Sequence, residues 1–131
     1  MPIKLLLIAL LLFGACGKKT ALIVYDDSAP EPVLESVASS VSANVLSLSL
    51  DMSGGGGAVS YQIDRAEVDP SCQCINNWLR FYESSASSQR SGLKRRVKLS
   101  YPDKIYAFRV RVVDSLGRKS AWSKVIKAKA K

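Results

Sequence analysis

The chain has 131 residues, three cysteines, no histidine, and 19 Lys and Arg against 11 Asp and Glu, for a net charge of +8. The length fits one domain with a short leader. Without histidine, Ser-His-Asp and Cys-His nucleophile arrangements are excluded and the commonest ligand for zinc and redox metals is missing, so neither catalysis nor a metal or cofactor is expected.

At the start of the chain Lys4 supplies a positive charge, residues 5–13 form an unbroken apolar run, and Gly14 and Ala15 lead into Cys16. This is the layout of a secretory signal over residues 1–15. The nine apolar residues fall far short of the roughly 20 that a membrane-crossing helix needs. Phe13-Gly14-Ala15-Cys16 resembles a bacterial lipobox, which implies cleavage before Cys16 and attachment of palmitate-type lipid to it. Phe13 stands where that motif usually has Leu. The alternative is a conventional cleavage site in which Cys16 is an ordinary small residue.

Residues 17–35 mix Lys, Asp, Ser and Pro without helical or strand period, and Pro30 and Pro32 favour an extended chain. Residues 16–35 are therefore expected to form a lipid-anchored tether reaching at most about 70 Å, followed by a folded domain over residues 36–131. Strand periodicity begins near residues 33–41. Over residues 45–50 Leu46, Leu48 and Leu50 fall on one face and Ser47 and Ser49 on the other, the period of a half-buried strand. The four glycines after Ser53 lack the Lys and Ser or Thr of a phosphate-binding loop and read as a flexible turn. Residues 59–65 alternate again with Tyr61 and Ile63 on one side, and residues 75–82 form a short aromatic segment around Trp78 and Phe81. After a polar loop come residues 93–101 and 106–113, the latter with Tyr106, Phe108, Val110 and Val112 on one face, then a turn at 114–117 and a last run over 122–131. Seven short strands with no competing amphipathic helix predict an all-β fold, an antiparallel β-sandwich.

The stretch YPDKIYAFRVRVVDSLGRKSAWS, residues 101–123, resembles the end of a fibronectin type III domain. In that resemblance Pro102-Asp103 is the turn before the strand and Tyr106 the corner tyrosine whose hydroxyl ties the strand crossing. Residues 114–120 are the closing turn, and Tyr61-Gln62-Ile63 is similar to the family's third strand. It covers about residues 32–131 and implies an immunoglobulin-like sandwich of about seven strands. Leu50 stands where the family usually has a core Trp, and Asp103 where a turn Gly is usual.

A second resemblance lies in the leader. Cys16-Gly17-Lys18-Lys19-Thr20-Ala21-Leu22 is similar to the Cys-Gly-Lys-Lys-Gly-Pro-Leu start of small proteobacterial lipoproteins, with Thr20 and Ala21 replacing Gly and Pro. Some of these carry a fibronectin type III domain with a Cys-x-x-Cys. The resemblance implies a role in maturing or assembling an outer-membrane complex such as the lipopolysaccharide translocon. Lys18, at the second position after Cys16 and not Asp, resembles lipoproteins released to the outer membrane.

Cys72 and Cys74 lie next to the turn-forming Asp69-Pro70-Ser71, and export would place them in an oxidising compartment. Two thiols without histidine make a poor zinc site. They are a candidate disulfide across one residue, structural in the first reading and a thiol-disulfide site in the alternative.

The charge is unevenly placed, with fourteen Lys and Arg against two acidic residues over 90–131, and four against nine over 16–89. If the last two strands are neighbours, Arg109, Arg111, Lys127, Lys129 and Lys131 share one exposed sheet face, while Lys94, Arg96 and Lys98 form an outward row on the opposite sheet. The bland reading is a charged face that discourages edge pairing. The functional one is contact with lipopolysaccharide phosphates, anionic headgroups or acidic glycan. Nucleic acid is not expected, because Tyr106 and Phe108 face inward and leave no aromatics among the outward cations. Trp78 and Trp122 are assigned to the core or its rim, and Asp64, Glu67 and Asp69 to a solvated loop edge. The expected protein is a non-catalytic binding or scaffolding module, held by lipid in the cell envelope and facing the periplasm from the outer membrane.

Overall fold

Alternation along each strand sorts its side chains into a core set and an outward set. In the computed structural model, which describes residues 28–130, seven strands follow from it. The signal segment, Cys16, the tether up to residue 27, and Lys131 lie outside the described residues. The strands are β1 (Val33–Ser42), β2 (Val45–Ser53), β3 (Ser60–Val68), β4 (Leu79–Glu83), β5 (Leu93–Lys98), β6 (Ile105–Val113) and β7 (Ile126–Lys129). They form two antiparallel sheets, ordered β1-β2-β5 and β4-β3-β6-β7, packed as a fibronectin type III-like sandwich. Among the described residues no helix is long and apolar enough to cross a membrane.

The core is the inward rows meeting. Leu46, Leu48, Leu50 and Met52 of β2 and Val97 of β5 face Tyr61 and Ile63 of β3 and Tyr106, Phe108, Val110 and Val112 of β6. Each fully buried Leu, Ile or Phe contributes about 1.5–3 kcal/mol relative to leaving it in water. Leu50 is completely buried at the position where the family resemblance expected a Trp. Two arginines point toward this apolar layer and cap it. Arg65 lies over the Phe81 and Tyr106 rings at 4.8 and 4.9 Å, and Arg95 over Tyr82 at 3.5 Å. The Tyr106 ring packs against Arg65 and Phe108.

β1, Val33–Ser42, matches the strand expected near residues 33–41 and overlaps the last residues assigned to the tether, while the last run is a strand only over Ile126–Lys129. The β1–β2 hairpin turns on Ala43 and Asn44, both at positive φ (50° and 61°), the two-residue geometry whose twist suits adjoining strands.

The glycine segment is not a flexible turn. Gly54 has φ +67°, and a Cβ there would run into the carbonyl oxygen of Glu31. The Gly55 N–H donates to the Pro30 carbonyl at 2.8 Å, and the Gly56 N–H to Asp114 Oδ2 at 3.1 Å. Arg90 donates to the carbonyls of Gly54 and Gly57 at 3.1 and 2.6 Å. The segment is held on both sides, and at Gly54 glycine is required because the two backbones approach too closely for a side chain.

Candidate functional site

The outward face of the β4-β3-β6-β7 sheet is built from its middle strands. On β3, Gln62 and Asp64 point outward, and the antiparallel register sets Arg111 opposite Gln62 and Arg109 opposite Asp64 on β6. Cross-strand partners at this spacing meet directly. Asp64 accepts from Arg109 Nη2 at 3.1 Å and from Arg80 Nε of β4 at 2.7 Å, while Arg111 Nε donates to Gln62 Oε1 at 2.8 Å. Burial pushes the Asp64 carboxyl up, but the hydrogen bonds and charges of Arg80 and Arg109 outweigh it and hold the group below its ordinary range.

A second layer covers this row. The segment between β6 and β7 runs beside β6 without forming a regular strand, because serine hydroxyls replace part of the ladder. Val112 N–H donates to Ser120 Oγ and Val110 N–H to Ser123 Oγ, both at 2.9 Å, while the Ser120 and Ser123 N–H groups donate to the carbonyls of Val112 and Val110. Ser120 and Ser123 thus fix the segment at both ends of a turn that carries Trp122 over β6. The Arg109 guanidinium lies 4.1 Å from the Trp122 ring and 4.5 Å from Trp78, and Arg111 lies 4.2 Å from Trp122. The result is a stack in the order Trp78, Arg109, Trp122, Arg111.

This stack revises three expectations. Trp78 and Trp122 are half-buried on the outside of the sheet and do not belong to the core. Aromatics do interleave with the outward cations, contrary to the inference drawn from Tyr106 and Phe108 alone. Asp64 is a buried ion-pair partner and not part of a solvated loop edge. Trp122 is contacted by two guanidinium groups, so a base could stack on it only by displacing one of them.

The remaining expected residues fall as follows. Lys127 and Lys129 of β7 sit opposite Ala107 and Ile105 of β6, on the same outward face as Arg109 and Arg111, and both are exposed. The arginines are engaged by Asp64, Gln62 and the tryptophans, which leaves the two lysines as the solvent-facing charges of this group. Lys131 lies outside the described residues. Lys94, Arg96 and Lys98 are exposed on β5, in the other sheet. Cys72 and Cys74 are bonded to each other at the exposed tip of the β3–β4 connection. Among the described residues no group of three or more His, Cys, Asp and Glu could hold a metal ion.

Ser120-Ala121-Trp122-Ser123 was the signal that sequence reasoning passed over. Two serines three residues apart beside an Arg-x-Arg strand could satisfy that strand and set an aromatic between the arginines, but only the β6 register reveals it.

No protein-family model matches the chain, and no curated protein does. Among solved structures it is similar to one described as a myokine structure, with a TM-score of 0.53 and 17% identity over 76% of this chain and 95% of that one. At that identity the likeness is one of fold.

Proposed function

We propose that the chain is a binding or scaffolding module of the cell envelope, tethered by lipid on Cys16 in the outer membrane and facing the periplasm, and that the outward face of the β4-β3-β6-β7 sheet grips an anionic partner. The observation that supports this most is the stack of Trp78, Arg109, Trp122 and Arg111 with exposed Lys127 and Lys129 beside it. Stacking and the Asp64 ion pair hold the face in one arrangement before a partner arrives, which lowers the ordering cost of binding. The lysines supply long-range attraction to lipopolysaccharide phosphate or acidic glycan, and the arginines the shape they dock against. The Cys-Gly-Lys-Lys leader favours, as a second reading, assembly of an outer-membrane complex, with a protein partner on the same face.

The test is charge reversal at the lysines, because reversal at Arg109 would dismantle the stack. The pair Lys127→Glu and Lys129→Glu is expected to elute from a lipopolysaccharide or heparin matrix at lower salt than the parent, with unchanged thermal stability. Elution at the parent's salt concentration would defeat the anionic reading.

A further inference from the structure

The β3–β4 connection carries a feature that the basic face does not use. It is pinned at its base: the Asp69 N–H donates to the Cys74 carbonyl at 2.8 Å, the Asn76 N–H to the Glu67 carbonyl at 3.0 Å, and Val68 bridges to Ile75. At its tip the Cys72–Cys74 bond is exposed, and Gln73 between the two sulfurs has φ 59°, a left-handed conformation that costs a non-glycine residue on the order of 1 kcal/mol. Gln73 is held there by the turn as well as by the bond, its N–H donating to the Asp69 carbonyl at 2.8 Å and its Nε2 to the Pro70 carbonyl at 3.3 Å. Directly after the bond an apolar strip stands in water, with Ile75 38%, Leu79 70% and Phe81 37% exposed. Leu79 and Phe81 belong to β4, the outer strand of its sheet, and with Asn76 and Asn77 they line a cleft of about 380 Å³.

We propose that Cys72 and Cys74 form a thiol-disulfide exchange site for an extended client polypeptide that carries two cysteine thiols and docks on the open edge of β4. An outer strand offers unpaired backbone groups to which an extended chain can add, and Leu79 and Phe81 offer apolar contacts beside it. The reactive bond lies five residues before Leu79 in the chain, within reach of a client laid along that edge.

The geometry also assigns the order of attack. The Cys74 N–H donates to Cys72 Sγ at 3.2 Å, so it stabilises negative charge on Cys72. A client thiolate attacks Cys74 Sγ, the bond between the sulfurs breaks, and the electron pair leaves on Cys72. The second client thiolate then attacks the client sulfur of the mixed disulfide and releases Cys74. The client is oxidised by two electrons to its disulfide and the chain reduced by two, with the two thiol protons transferred from client to Cys72 and Cys74. Return to the bonded state requires a further disulfide compound of the glutathione-disulfide class as oxidant.

The experiment uses the oxidised full-length chain in detergent, anaerobically, with an equimolar synthetic peptide holding two cysteines in a Val- and Leu-rich segment. Mass spectrometry is expected to show peptide disulfide formed one for one with reduced chain, and a quenched mixed disulfide on Cys74. Leu79→Ser, a change at an exposed site, is expected to slow the peptide reaction about fivefold, the loss of roughly half a leucine's transfer energy. Its reaction with dithiothreitol should stay within about twofold of the parent, since that reagent needs no docking edge. No peptide oxidation while dithiothreitol still reduces the bond would overturn the proposal. So would an unchanged peptide rate in Leu79→Ser, or trapping on Cys72.

Discussion

Asp114 offers the sharpest energetic test, and the perturbation is Asp114→Asn. Its side chain is wholly buried and accepts four N–H bonds: from Gly56 at 3.1 Å, from Leu116 at 3.0 Å, and from the backbone and Nε of Arg118 at 2.9 and 2.8 Å. An asparagine keeps one oxygen for Leu116 and the Arg118 backbone, but turns an NH2 group toward the Gly56 and Arg118 Nε donors. An orphaned buried N–H and a broken charge-assisted bond together cost about 3 kcal/mol, with Arg118 partly relieved by solvent. For a domain of about 100 residues that lowers Tm by about 15 °C. Urea unfolding monitored by tryptophan fluorescence measures it at pH 7. The pH dependence gives a second reading. Burial pushes the Asp114 carboxyl up, but the Gly56 and Arg118 bonds and the Arg118 charge outweigh it and hold the group below its ordinary value of 3.8. A carboxyl lowered by folding stabilises fully above its unfolded value and loses that contribution as pH falls through its folded one. The gap between parent and variant should therefore be full near neutrality and narrow below pH 3.8. A loss under about 1 kcal/mol at pH 7, or a gap that widens on acidification, would refute the reasoning.

Three further outcomes follow from the packing. Trp122→Ala removes the ring that both Arg109 and Arg111 contact and should cost about 1–2 kcal/mol in urea unfolding, most of it restored by Trp122→Phe. Gly54→Ala should destabilise far more than Gly92→Ala, because both have positive φ but only Gly54 is backed by another backbone; equal melting temperatures would contradict the close approach. Leu48→Ala should cost about 2–5 kcal/mol by calorimetry, as a cavity forms in the core between the two sheets.

The strands were legible because Leu46, Leu48 and Leu50 against Ser47 and Ser49, and Tyr106 through Val112, leave one register open to each strand. Period-two alternation also sufficed to set Arg109, Arg111, Lys127 and Lys129 on one face. What it could not show is who their neighbours are. Asp64 and Trp122 lie 45 and 13 positions from Arg109 in the chain and reach it through β3 pairing and the Ser120 and Ser123 bonds. The glycine segment read as flexible for the same reason: its partners, Pro30 and Glu31, Arg90, and Asp114, come from three places that no local pattern joins.

The clasp at the start of the described chain has a mechanical consequence. Arg118 holds the carbonyls of Ala29 and Pro30 at 2.9 and 3.3 Å, and the Gly55 N–H holds Pro30 as well. A pull transmitted to Ala29 and Pro30 is therefore met by Arg118, itself braced by buried Asp114, before it reaches β1. β1 is in turn paired with β2 from Val33 to Ser42, so the clasp stands between the leading chain and the first rung of that ladder. The clasp is a strain relief: it lets whatever holds the N-terminus tug on the domain without peeling its first strand away.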